Sequence, residues 1–345
     1  MIRLQLDLSA ITPLSRTQIE HLADLASRFS SRILFDCQSR TINGKSMLGL
    51  LSLGVTGDAP VTLICEGEDE EEAARELKRL LDSGIAPPKT AADAYALVQK
   101  IKDSYVGILG EDLIGIYLHG SLAAGCFHWE ISDIDLMVVV REALTLEQKM
   151  AMVKTLYDMT PDAPPKGIEM SVMLESACRN IAYPAPFELH YSPRHRTAYE
   201  QDPATFCRDM HGEDEDLTAH ILFLHSYGVT AYGRGIARTF DQVRREDALK
   251  SIRADVSDTM LRLHDDPCYC VLNLCRALAY LRENRSLSKK EGGEWALKNL
   301  PQAHQRVIQA AVNAYESGLD MSYDRGLAEN FCADALEELD KADED

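Results

Sequence analysis

Asp133 and Asp135 stand one residue apart at the head of an apolar run that ends in Val138-Val139-Val140. Side chains of a strand repeat every two residues, so both carboxylates lie on one face. Carboxylates held side by side repel each other and raise one pKa unless a cation sits between them. The economical occupant is Mg²⁺, which takes oxygen ligands from one or two carboxylates and completes its octahedron with water and phosphate oxygens. Upstream, Ile114, Ile116, Tyr117 and Leu118 run into Gly120-Ser121. A glycine bend lets backbone N–H groups approach a phosphate, and Ser121 adds a hydroxyl donor. An isolated Asp-x-Asp is most often a solvated hairpin face. Here the Gly-Ser turn before it and the β-branched run after it favour a triphosphate and metal site.

The elements that must position these groups are strand, turn, excursion and strand, all within residues 115–140. From Leu118 to Leu136 the stretch resembles the nucleotidyltransferase superfamily with the polymerase-β-like fold, whose pattern is Gly-Ser, a gap of about a dozen residues and Asp-x-Asp between apolar residues. The resemblance implies ATP as co-substrate and Mg²⁺ on Asp133 and Asp135, with Gly120, Ser121 and Ser132 on the nucleotide side. It also implies a third carboxylate on a neighbouring strand, and Glu169, in the apolar stretch 167–174, is the candidate. Glu169 would take the proton from a substrate hydroxyl attacking the α-phosphorus. Glu175, one residue past that strand, is a weaker competitor.

At 345 residues the chain predicts two or three domains, and 46% hydrophobic content is ordinary for a globular protein. No apolar run approaches membrane-spanning length, and the N-terminus has no signal-peptide core, which predicts a cytoplasmic protein with no membrane partner. Nine cysteines in no metal-binding spacing predict reduced, mostly buried thiols. A formal charge of −19 excludes nucleic acid as a general partner, since backbone binding rests on Lys and Arg, and it suits a small cationic polyol.

Residues 1–86 read as strand, helix, two strands, short helix, strand and helix. Leu4, Leu6 and Leu8 alternate, 16–29 is amphipathic, 33–36 and 39–42 are strand-like, 45–52 is a short helix, 61–66 a strand and 69–81 a helix with an acidic first turn. That βαββαβα order, with the stretches 42–55 and 67–81, resembles HPr, the histidine-containing phosphocarrier of the sugar phosphotransferase system. The resemblance implies an open-faced sandwich and a phosphotransferase-system protein as a partner. The family's phosphorylated His is Ser15 here, and its following Arg is Thr17, so a phosphohistidine relay is not expected. His21 reads as helix packing. Ser46 matches the family's regulatory serine and reads either as a helix N-cap or as a phosphate site.

Ala86-Pro87-Pro88-Lys89-Thr90 is the expected linker. A catalytic domain is expected over 90–210, with helices at 90–109 and 145–159, and an all-α bundle over 211–345, with helices at 216–227, 247–264, 268–282, 289–298, 302–316 and 323–340. The overall class is therefore α+β. Residues 269–315 resemble the helical domain of the streptomycin/spectinomycin adenylyltransferases, and with the catalytic motif that resemblance spans roughly 95–340. It implies that Arg276, Lys289 and Tyr315 contact ATP and that Asp266 faces the aminoglycoside. Two cations can neutralise a triphosphate and an aromatic ring can lie against adenine. The family's streptomycin-stacking Trp is Arg194 here, whereas Trp129 and Trp295 read as packing residues. The implied reaction moves AMP from ATP to a hydroxyl of an aminoglycoside or aminocyclitol. Two other classes stay open: a nucleotidyltransferase that modifies a protein, and a phosphotransferase-linked regulatory protein that only holds nucleotide.

Overall fold

The computed structural model describes residues 1–6, 14, 16–37, 40–52, 61–82, 89–318 and 320–341, without the side chain of Thr17. Leu8, Ser15, Ser39, the Ala86-Pro87-Pro88 part of the linker and the end of the acidic tail lie outside the described residues. The chain divides into two units, Met1–Lys89 and Thr90–Asp345.

In the first unit β1 (Ile2–Leu6), β2 (Arg32–Cys37), β3 (Arg40–Asn43) and β4 (Val61–Glu66) form an antiparallel sheet of order β1-β4-β2-β3. Helices Arg16–Ser27, Met47–Leu51 and Glu70–Asp82 complete the expected βαββαβα order. Alternation along β2 turns Ile33, Phe35 and Cys37 inward, onto Ile19 and Leu22 of the first helix and Ala73 and Leu77 of the third. The short helix starts later than its apolar pattern predicts. Ser46 caps it, accepting a hydrogen bond from the Gly49 amide at 3.2 Å, so the N-cap reading of this serine holds.

The second unit contains β5 (Leu113–His119), β6 (Ile134–Val140), β7 (Ile168–Leu174), β8 (Ala185–Phe187), β9 (Leu189–Tyr191), β10 (Gly212–Asp214) and β11 (Val229–Gly233). Its main sheet has the order β11-β5-β6-β7-β9, with β6 and β7 parallel and the other pairs antiparallel. Parallel strands covered on both faces read as continuous apolar runs, as β6 does. Leu136, Val138 and Val140 pack with Leu97, Ile101 and Met152 of helices Ala91–Leu109 and Leu146–Met159. Met137 and Val139 point the other way, onto Leu217, Ile221 and Leu224 of helix Leu217–Tyr227. Asp133 and Asp135 share that second parity. The first two of these helices begin at capping boxes, Thr90 with Asp93 and Thr145 with Gln148.

Helices Arg245–Val256, Pro267–Glu283, Lys289–Asn299, Gln302–Ser317 and Arg325–Lys341 enclose a core that includes Leu272, Trp295, Ile308 and Phe331. The helix expected over 247–264 breaks after Val256. Ser257 Oγ donates back to the Ala254 carbonyl at 2.8 Å, and a separate turn, Thr259–Arg262, follows. The helical half also lends the sheet its edge strand β11, which pairs with β5 through a bulge between Thr230 and Tyr232. Most β11 side chains are exposed, so no apolar alternation announces it. Among the described residues no helix is long and apolar enough to cross a membrane.

Candidate active site

Strand register puts His119, Asp135 and Glu169 in one row: His119 lies opposite Asp135 across β5 and β6, and Asp135 opposite Glu169 across β6 and β7. Cross-strand partners face the same way, and Asp133 enters from the loop two residues earlier. Carboxylate oxygens of Asp133, Asp135 and Glu169 all lie within 4.8 Å of one another. Burial drives the Asp135 pKa well above the usual carboxylate range, Asp133 and Glu169 add to the rise, and Lys289 opposes it. Burial also raises Glu169, reinforced by Asp133 and partly offset by His220 and Arg194. Converging hard oxygen donors that cannot all ionise alone fit a divalent cation such as Mg²⁺.

Gly120 is indispensable to this row. Its φ is +62°, and a Cβ there would sit 1.7 Å from Asp135 Oδ2. Next to it the Ser121 hydroxyl is buried and has no hydrogen-bond partner among the described residues. Both residues line the same cavity of about 1290 Å³ as the three carboxylates. Ser132 also lines it, but its hydroxyl accepts from the His128 amide at 3.1 Å and braces the loop into Asp133.

Arg276, Lys289, Tyr315 and Asp266 line this cavity too. Lys289 opens its helix behind the Ser288–Glu291 capping box, with Nζ 4.3 Å from the Tyr269 ring centre. Burial, Arg276 and Lys166 lower its pKa, against Asp133 and Asp135. Arg276 donates to the Leu287 carbonyl at 2.9 Å and to Asn273 Oδ1 at 3.2 Å. The Tyr315 hydroxyl donates to the Cys126 carbonyl at 3.3 Å, tying its helix to the excursion between β5 and β6. Asp266 caps helix Pro267–Glu283, accepting from the Tyr269 amide at 3.1 Å. Glu175 is not part of the cluster, because it is ion-paired with Arg234. Trp129 packs against the sheet core, and Trp295 is buried and donates to Glu283 at 2.8 Å.

Sequence reading missed several cavity residues. The His220 ring lies 4.9 Å from that of His119. Asp216 and Asp255 form an acidic wall with Asp214. Burial and the neighbouring Asp255 push the Asp216 carboxyl up to about 6. Asp255 accepts from the Tyr269 hydroxyl at 3.0 Å and from Asn273 Nδ2 at 2.8 Å. Arg194, already singled out at the family's Trp position, stands near Glu169, His190 and His195 and acts on all three. These residues come from separate elements with no shared local pattern; only the acidic run Glu213 to Asp216 could have drawn notice.

Residues 238–338 match the family described as aminoglycoside adenylyltransferase, C-terminal domain, and residues 17–83 match the PTS HPr component phosphorylation site family. A spectinomycin 9-adenylyltransferase of Staphylococcus aureus is 22% identical over 248 residues, 69% of this chain and 90% of the relative. An HPr-like protein, Crh, of Halalkalibacterium halodurans is 34% identical over 77 residues, 22% of this chain and 92% of the relative. A solved spectinomycin adenyltransferase of Enterococcus faecalis, determined with ATP and spectinomycin, covers 71% of this chain and 99% of its own, at 21% identity and a TM-score of 0.61, and shares the fold. Through its second unit the chain is thus similar to the aminoglycoside adenylyltransferases, whose C-terminal domain family matches residues 238–338, and through its first unit it belongs to the HPr family.

Proposed function

We propose that the protein transfers AMP from ATP to a hydroxyl of a cationic aminocyclitol of the spectinomycin class. The observation that carries this reading is the convergence of Asp133, Asp135 and Glu169 at one cavity, beside a buried, unpartnered Ser121 hydroxyl. Asp133 and Asp135 would hold Mg²⁺, which when bound supplies charge neutralisation at the phosphates. Arg276 and Lys289 balance the triphosphate, Ser121 donates to it, and Tyr315 offers a ring for the base. Glu169 accepts the proton of the attacking hydroxyl. The acceptor oxygen bonds to the α-phosphorus, the bond to the bridging oxygen breaks, and pyrophosphate leaves. Asp214, Asp216 and Asp255 present negative charge to a cationic acceptor. Arg194 weighs against streptomycin, whose guanidinium groups it would repel.

The first unit is read as a docking module for a phosphotransferase-system protein, and the reaction's use of ATP, with nine unpaired cysteines, fits the cytoplasm. The test is a matrix of spectinomycin, streptomycin and other aminoglycosides against ATP, GTP, CTP and UTP with Mg²⁺, following pyrophosphate release. Release with ATP and spectinomycin is expected. No release with any aminocyclitol would defeat the acceptor assignment.

A further inference from the structure

We infer that Lys166 is a third cation of the triphosphate site, binding the phosphate tail together with Arg276 and Lys289; this rests on the reading of the cavity as a nucleotide site. The triad and a triphosphate together bring more negative charge to a buried place than a divalent cation, Arg276 and Lys289 offset, and uncompensated buried charge is costly. The other basic cavity residues are committed elsewhere. Arg262 pairs with Asp258 at 3.5 Å and lies 4.6 Å from the Tyr269 ring centre. Arg194 faces Glu169, His190 and His195, on the side where the acceptor hydroxyl must approach. Lys166 forms no ion pair among the described residues, and its charge acts on Lys289 and Cys268 instead.

Its place is built into the backbone. The turn that carries Lys166 is closed by a Gly167 amide to Pro164 carbonyl bond of 2.8 Å. The Gly167 carbonyl in turn accepts from the Ile134 amide at 3.1 Å, between the two metal-site carboxylates. Gly167 has a φ of +84°, and a Cβ there would meet Pro193 Cγ at 2.3 Å, so this turn requires a glycine beside Lys166. Lys166 also lines a smaller recess of about 450 Å³ beside the main cavity, together with Lys289, Tyr315 and Cys268. Lys166, Lys289 and Tyr315 line both the main cavity and that recess, so a ligand held by Lys289 and Tyr315 at the boundary of the two lies on cavity walls that Lys166 shares. The helical signature of Arg276 and Lys289 gave no hint of it, because Lys166 lies in a turn of another element.

Full-length wild type, Lys166→Gln and Lys166→Arg would each be titrated with ATP and with inorganic triphosphate in Mg²⁺. The expected result is about tenfold weaker binding of both ligands by Lys166→Gln, with Lys166→Arg within about threefold of wild type. Unchanged affinity in Lys166→Gln, or a loss that Lys166→Arg does not recover, overturns the assignment. Wild-type protein that binds neither ligand overturns the nucleotide reading itself, and that arm does not depend on either variant.

Discussion

Asp135 and Glu169 are register partners on the two parallel strands of the main sheet, so the carboxylate proposed to hold metal and the one proposed as base lie side by side on one face. Burial pushes both carboxyls up from the usual carboxylate range, Asp133 adds to both rises, and Glu169 adds to that of Asp135.

Asp133→Asn or Asp135→Asn is expected to lower turnover by about a thousandfold or more, since several kcal/mol of charge stabilisation depend on these ligands. The fold should survive. Because the folded Asp135 pKa is raised, its ionised form weakens the metal-free protein at neutral pH, and a neutral Asn should hold or raise Tm. Pyrophosphate release and thermal melting check both halves; wild-type activity in either variant would refute the metal assignment.

Glu169→Gln should keep ATP affinity within about threefold and lose about a hundredfold to ten-thousandfold in turnover, the range expected when a general base alone is removed. Titration with ATP beside single-turnover kinetics separates the outcomes. An equal loss of ATP affinity would make Glu169 a metal ligand instead.

Gly120→Ala and Gly125→Ala form a matched pair. Both glycines have positive φ, +62° and +72°, so each replacement costs about 1–2 kcal/mol of backbone strain. Only at Gly120 does the new methyl strike Asp135; nothing lies within 4 Å at Gly125. Activity should therefore collapse in the first variant and persist in the second, while melting shows a loss in both.

Acceptor affinity should depend on pH through Asp216, whose carboxyl titrates near 6. Above that value it is ionised and attracts a cationic acceptor; as pH falls through 6 it protonates and KM for the acceptor rises. The stability sign is opposite. A raised folded pKa stabilises the fold below the ordinary carboxylate value, and that contribution is lost as pH rises toward 6. Asp216→Asn should flatten the acidic limb of the KM profile, and a limb that persists in this variant would assign it to another group.

A truncated chain beginning at Pro88 should retain most of its catalytic rate, because every cavity residue lies beyond Thr90. Phosphoenolpyruvate and the sugar-system enzyme should not label Ser15, since a hydroxyl lacks the imidazole nitrogen on which the labile phosphoramidate of such a relay forms. Phosphate appearing there would restore a relay role.

Sequence alone was enough for features set by local periodicity and local sterics. Alternation places Asp133 and Asp135 on one face, the apolar run of β6 demands cover on both sides, and the Gly-Ser turn marks the end of β5. Helix starts at Thr90, Thr145 and Ser288 follow from capping chemistry within one turn. Tertiary structure decided what depends on separate elements meeting. It made Ser46 the N-cap of its helix, had the Ser132 hydroxyl accept from the His128 amide of its own loop, and removed Glu175 into an ion pair with Arg234. It also brought His220, Asp255 and Lys166 to the cavity that holds the carboxylates, from a helix, a second helix and a turn. Those choices rest on which side chains are buried together and which charges must share a cavity, and neither quantity exists until the chain has closed on itself.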